Sequence, residues 1–425
     1  MRTKILRWLS GALFLLTGTG ALAQTQAPLT WEQVRQRFEQ NNPTLLAGKL
    51  GIEESKANEI TAYLRPNPNF SLTVDGTQIA PKNGVWKPFP GTFEIPSISY
   101  LHERQHKREL RLQSAQEATA IAVSGQSDLE RGLLFNLRGA FVGVLQAKAV
   151  LQVAKDNLAY WDEMLKISRD RFQAGDLAQI DLDRLELQRV QFEADVQTAE
   201  VNLRTAKIEL LMLLNDRTPV DQFDVTGPFD FGDQLSPLDQ FRQIALDNRP
   251  DLKAAMQAVD KAKVDHKLAI ANGSTDPTLS AWYTHNSSNN NPLATNTLGL
   301  GVAFPLRIFD RNQGEKLRTQ LDIERNQRLL DATQAMVFSD VDSAYAVVSS
   351  NLILLRPYKA KYLQQAVRVR ETLRFAYEHG GASLLDFLNA ENDYRSVQLN
   401  YANLVGSYLT AAAQLNLAAG REVIQ

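Results

Sequence analysis

From Leu133 to Phe172 an apolar or small residue recurs at alternating steps of four and three. The set is Leu133, Leu137, Ala140, Val144, Ala147, Leu151, Ala154, Leu158, Trp161, Leu165, Ser168 and Phe172, with Ser168 its one polar member. The same spacing runs from Leu182 through Arg189 and Phe192 to Leu213, and again from Phe387 through Tyr394 and Tyr408 to Ala418. A sustained period of about 3.5 residues marks helices packed as coiled coils. A helix from about Glu103 to Phe172 would be about 100 Å long at the helical rise. Gly175 and Gly380 stand where the long patterns stop, the place for left-handed turns that reverse the chain as hairpin tips. Pro357 falls inside the second long helix and should kink it, because proline cannot donate to the helical ladder.

A second periodicity, of two, appears in shorter stretches. Phe70, Leu72 and Val74 alternate with Ser71, Thr73 and Asp75; Leu298, Leu300, Val302 and Phe304 alternate with Gly299, Gly301 and Ala303. Each reads as a strand with one greasy face and one polar or small face. Gly, Pro and Asn crowd the segments 81–91 and 286–296, as hairpin connections require. The chain thus supplies four strands. Membrane barrels begin at about eight strands, so several copies must contribute to a closed wall.

The two periodicities occur in the same order twice. EQVRQRFEQNNPTLLA (32–47) resembles DQFRQIALDNRPDLKA (239–254), and RFQAGDLAQIDLDRLE (171–186) resembles FAYEHGGASLLDFLNAE (375–391). Gly175 then pairs with Gly380, Asp181 with Asp386 and Glu186 with Glu391, each 205 residues on. One unit of helix, strand, strand, long helix, Gly turn and helix is therefore expected twice. The first repeat, 24–237, holds a helix, a β-hairpin at about 69–101, a long helical hairpin at about 103–214 and a linker at 215–237. The second repeat, 238–425, holds a helix, a β-hairpin at about 277–306, a long helical hairpin at about 310–419 and a C-terminal tail.

The N-terminus changes the picture by giving an address. Arg2, Lys4 and Arg7, an apolar run from Leu9 to Leu16, and Ala21-Leu22-Ala23 form a secretory signal peptide over residues 1–23. With no cysteine in the chain, disulfides and a lipidated N-terminus are both excluded. Beyond residue 24 no apolar stretch of about 20 residues is expected, which leaves a β-barrel as the way to span a membrane. A net charge of −2, with basic residues spread along the chain, gives no reason to expect nucleic acid.

Other candidate chemistry is sparse. His102-Glu103-Arg104-Gln105-His106 fits the H-E-x-x-H zinc-protease pattern, but it falls at a strand-to-helix junction with no pocket-forming domain around it, and the enzyme reading is rejected. Five histidines, five methionines and no cysteine offer no cluster for soft metal ions, so neither cofactor nor metal site is expected. Trp282, Tyr283, Phe304 and Tyr100 are candidates for an aromatic girdle at a lipid interface, with isolated packing as the rival reading. Asp310 suits the cap of the helix that follows it.

The segment Phe304 to Glu315, FPLRIFDRNQGE, is similar to the "PLPLFDRNQG" segment of the TolC-like outer membrane factors, in their heavy-metal efflux (CzcC-like) branch. With the duplicated Gly tips, the resemblance covers nearly all of the chain after the signal peptide. It implies a mainly α fold with a small β part: a trimer whose twelve-stranded outer membrane β-barrel, four strands per chain, continues into a long coiled-coil periplasmic barrel. Residues 215–237 and the C-terminal tail would form an equatorial belt. The implied function is the exit channel of a tripartite efflux system, passively conducting small solutes or metal ions. Its implied partners are a periplasmic adaptor (membrane fusion) protein, an inner-membrane pump of the RND type, and outer membrane lipid. A protein-secretion conduit and a periplasmic coiled-coil scaffold are the alternatives. By the same resemblance the periplasmic gate falls on Asp386, Asn389, Tyr377 and Asp181, and the adaptor-contacting tips on Gly175 and Gly380. Two departures stand out. Asn389 replaces the family's second gate aspartate, and Ala382 replaces the arginine that latches the gate tyrosine.

Overall fold

The computed structural model describes residues 27–89, 91–286 and 295–424. The signal-peptide assignment and most of the 286–296 connection lie outside these residues.

Each half opens with two helices where one was expected: α1 (Trp31–Asn41) and α2 (Pro43–Tyr63), then α5 (Leu238–Asn248) and α6 (Pro250–Asn272). The break has a local cause. A residue before proline is driven out of the helical region, and Asn42 and Arg249 are extended at ψ 117° and ψ 120°. Pro43 and Pro250 then start the next helix, where a missing N–H costs nothing. The Asn42 side chain caps α2 by accepting from the Leu45 amide at 3.0 Å.

The strands β1 (Asn69–Asp75), β2 (Phe93–Leu101), β3 (Thr278–Asn286) and β4 (Asn296–Ala303) form one antiparallel sheet in the order β1-β2-β3-β4. The β2–β3 pairing joins the two halves of the chain. Its register sorts the faces. Leu72 lies opposite Pro96 and Phe70 opposite Ile98; Ile98 lies opposite Ala281, and Ala281 opposite Leu300. Tyr100, Leu279 and Val302 also line up across three strands. The other face carries Ser71 hydrogen-bonded to Ser97 at 2.7 Å, Ser280, Thr284, Gly299 and Gly301. Trp282 belongs to that second face, lying over the two glycines: a Cβ on Gly299 would meet its indole at 2.2 Å. It therefore cannot share a girdle with Tyr283 and Tyr100, because neighbouring strand residues point to opposite faces.

Past the sheet the chain is helical. α3 (Lys107–Ala174) and α4 (Gln179–Leu213) form the first long hairpin; α7 (Gln313–Pro357), α8 (Leu363–Glu378) and α9 (Leu384–Ala419) form the second. At 68 residues α3 is about 100 Å long. The expectation of no long apolar stretch fails here. An 18-residue window of α3 reaches a mean hydropathy of 1.3. Just 28% of that window is buried, with Leu137, Phe141, Val144 and Leu145 packed against α1, α4 and the linker after α4. Arg189, the one charge in the α4 heptad, is held by Asp162 at 2.6 Å and Glu193 at 3.2 Å. Ser168 satisfies its buried hydroxyl on the Met164 carbonyl at 2.8 Å. After Pro357 a π-turn, Tyr358–Tyr362, absorbs the lost hydrogen bond before α8 begins.

The linker 215–237 crosses both halves. Leu29 bridges Val225 in parallel. Asp224 meets Lys148 at 2.8 Å and Lys207 at 3.1 Å, while Asp230 and Asp233 reach Lys359 and Arg356 at 2.5 and 2.7 Å. The C-terminal tail is pinned by Asn416, whose side chain accepts from the Val423 and Ile424 amides at 2.7 and 2.8 Å.

Candidate periplasmic mouth

The two Gly turns have the same geometry. Gly175 and Gly380 adopt φ +82° and +77°, where a side chain is disfavoured. In each, the next amide reaches back to the previous turn: Asp176 donates to the Arg171 carbonyl at 2.9 Å and Gly381 to the Ala376 carbonyl at 2.7 Å. A Cβ on either glycine would meet nothing within 4 Å, so conformation and not crowding demands glycine there.

Directly behind the tips, the two hairpins share one apolar cluster. Trp161, Met164, Leu165, Leu185 and Phe192 come from the first hairpin, and Tyr377, Leu384 and Phe387 from the second. Trp161 lies 5.0 Å from Phe192 and 6.0 Å from Phe387, and Phe387 stacks on Tyr377 at 5.3 Å. Its indole N–H donates to the Leu185 carbonyl at 3.0 Å. Farther from the tips, Arg395 of α9 pairs with Asp195 of α4 at 2.6 Å.

The residues assigned to the gate divide into two groups. Asp386 and Asn389 are exposed on one side of α9, three apart, opposite the buried Phe387, Ala390 and Glu391. Asp386 also closes a capping box. It accepts from the Ser383 hydroxyl at 2.7 Å and amide at 3.2 Å, and its own amide donates to the Ser383 oxygen. Those bonds hold its carboxyl below the usual carboxylate range. Tyr377 is buried, with its hydroxyl unpartnered and pushed up by burial. Asp181, half-buried at the start of α4, lies near enough to add to that shift. Arg171 of α3 covers the Tyr377 ring at 5.2 Å and donates to the Tyr377 carbonyl at 3.4 Å. An arginine from the opposite hairpin thus attends the tyrosine that lies five residues before Ala382. No local motif could have announced it.

The H-E-x-x-H segment is not helical. Gln105 and His106 have φ 58° and 52°, α3 begins only at Lys107, and Glu103 is taken by Arg111. Among the described residues no group of three His, Asp or Glu side chains is placed to hold a metal ion.

Residues 241–421 match the family described as outer membrane efflux protein. The chain is 21% identical over 399 residues to the cobalt-zinc-cadmium resistance protein CzcC of Cupriavidus metallidurans, covering 94% of this chain and 91% of that one. It is 22% identical over 421 residues to the outer membrane protein TolC of Vibrio cholerae, covering 96% and 94%. Among solved structures, CusC superposes with a TM-score of 0.77 at 16% identity over 92% of both chains. The outer membrane protein VceC of Vibrio cholerae superposes with a TM-score of 0.75 at 15% identity over 92% and 96%. The fold is therefore that of a TolC-like channel, a β-sheet segment running into long coiled helices. The family match over residues 241–421 and these full-length relatives agree with that fold.

Proposed function

We propose that three copies of this chain form the outer membrane exit channel of a tripartite efflux system. The protein sits in the outer membrane and extends into the periplasm. One observation carries the reading. The sheet has an apolar face left bare, with Phe70 at 74% and Leu300 at 79% exposure, and among the described residues its outer strands β1 and β4 each have only one neighbour. Lipid covers such a face and further strands cover such edges. Three sheets of four strands make a twelve-stranded wall, within the range of membrane barrels.

The helical hairpins continue that wall as a periplasmic duct, with 215–237 and the tail as its belt. The tips at Gly175 and Gly380 face a periplasmic adaptor, which joins an RND-type pump in the inner membrane. Conduction is passive, and the cargo is small solutes or metal ions; the relative named for cobalt, zinc and cadmium resistance supports metal ions. Three copies of Asp386 around the axis form an anionic ring that admits and binds cations. Reconstituted channels test this. Multivalent cations should block the wild type from the periplasmic side, and Asp386→Ala should weaken that block at least tenfold. Unaltered block removes Asp386 from the gate.

A further inference from the structure

Five residues beyond Asp386, about 7.5 Å along α9, Glu391 points into the contact between the hairpins. Its side chain is 3% exposed, and Oε1 has no hydrogen-bond partner. The groups facing it come from three helices. α3 offers Tyr160, with Asp156 near the Tyr394 end; α8 offers Arg370, Glu371 and Arg374; α9 itself offers Tyr394. The Arg370 guanidinium is clamped between two rings, 4.3 Å from Tyr160 of the first hairpin and 3.9 Å from Tyr394 of the second. It gives its hydrogen bonds to Glu371, at 2.8 and 3.1 Å, and stays 3.8 Å from Glu391. Arg374 likewise turns to Glu371, at 3.0 Å. The buried carboxyl therefore sits beside two cations that are both paired with another carboxylate, Arg370 by hydrogen bonds and Arg374 by an ion pair that leaves its Nε without a hydrogen-bond partner. In the first half of the chain the equivalents of Arg374 and Glu391, Arg169 and Glu186, are exposed and joined at 2.8 Å.

We propose that Glu391 is a positioning residue of the mouth: with Arg370 and Tyr160 it forms a proton-operated latch that holds the second hairpin against the first. The proposal rests on the reading of this end as the periplasmic mouth. Protonated, Glu391 is a neutral group that the apolar contact tolerates. Ionised, it demands donors that Arg370 can supply only by leaving Glu371 and its place between the rings.

Burial pushes the Glu391 carboxyl up from 4.5 to about 7, against the pull of Arg370. Burial also pushes the Tyr160 hydroxyl up, so it remains protonated. The sign follows. A carboxyl whose pKa is raised in the docked state binds its proton more tightly docked than released. Docking is fully supported below about pH 4.5 and loses support as the pH climbs to about 7, by on the order of a hundredfold per chain. Acid closes the mouth, and a neutral periplasm leaves it poised.

The absence of cysteine permits a direct test. Spin labels at Asp176→Cys and Leu385→Cys, both exposed positions near the tips, report the separation of the hairpins in the full-length protein in detergent. The expected result is one narrow distance at pH 5 and a longer, broader distribution at pH 8. With Glu391→Gln the distribution should stay narrow at both. Tyr160→Phe, which removes a group favouring the charged form, should move the transition to higher pH. A distance that ignores pH, or a Glu391→Gln protein that follows the wild type, overturns the latch. Bilayer conductance on the same samples separates the two readings. A pH-responsive distance without conductance sinks the channel and upholds the latch, and pH-independent conductance upholds the channel and sinks the latch.

Discussion

The indole of Trp161 lies between Phe192 of α4 and Phe387 of α9, so one fully buried side chain of α3 ties three helices. Trp161→Ala should cost about 3–5 kcal/mol, the usual price of a large aromatic removed from a core, and should loosen the tips before the rest of the bundle. Hydrogen exchange resolved along the chain would show this as faster exchange confined to the Gly175 and Gly380 ends; uniform loss would refute it. Asp386 gives a pH dependence of the opposite sense to Glu391. Its carboxyl is held down by Ser383, so the cap and the proposed gate charge are complete above the ordinary carboxylate value of 3.8 and fade only as the pH falls below it. Cation block should therefore survive mild acidification, and Ser383→Ala should make it fade at a higher pH. An unchanged midpoint in single-channel titration would deny the role of Ser383. Much of this was legible. Ser383-Leu384-Leu385-Asp386 is a capping pattern, and Trp161 sits in the heptad. Arg171 over Tyr377, and Arg370 over Tyr160, were not, because both contacts join residues about 200 positions apart and depend on how two hairpins lie together.

The long helices were readable because a heptad repeated over dozens of residues has no competing interpretation, and the turns because Gly175 and Gly380 end it. What local pattern missed was the division of the first helix in each half. There the apolar spacing continues through Asn42-Pro43 and Arg249-Pro250, and the pre-proline restriction overrides it. Arg249 shows how such a break is held. It is almost fully buried, pairing with Asp251 at 2.6 Å and Asp340 at 2.8 Å, so the joint between α5 and α6 is bolted to α7. With Arg249 gone the partly buried Asp251 loses its partner, and Arg249→Met should destabilise clearly more than Arg35→Met on the half-exposed Arg35–Glu39 pair, which should cost under about 1 kcal/mol. Denaturation midpoints of the two variants decide it; equal costs would mean that the joint is not held by this pair. The tips obey the same logic of backbone demand. Gly380→Val forces a branched side chain into the left-handed region, worth about 1–2 kcal/mol, although no atom stands in its way.

Assembly is where one chain stops being sufficient. The alternation in the strands foretold two unlike faces, and the register shows how far they are segregated. Phe70, Ile98, Ala281 and Leu300 run across all four strands on one side, and Ser71, Ser97 and Trp282 run across three strands of the other. A water-soluble sheet would turn its apolar side to its own helices. Here that side is bare, while the helices lie beyond the strand ends. If three such sheets close in a bilayer, the two faces must respond differently to charge. Leu300→Arg places a guanidinium against hydrocarbon and should cost about 2–4 kcal/mol near the middle of the membrane. Thr73→Arg, on the opposite face, meets a water-filled lumen and should leave assembly intact. Folding into lipid vesicles, followed by cross-linking of the trimer, separates these outcomes. A chain that assembles equally well with either substitution has no lipid-facing side, and a water-soluble trimer with both faces wet would require a different wall altogether.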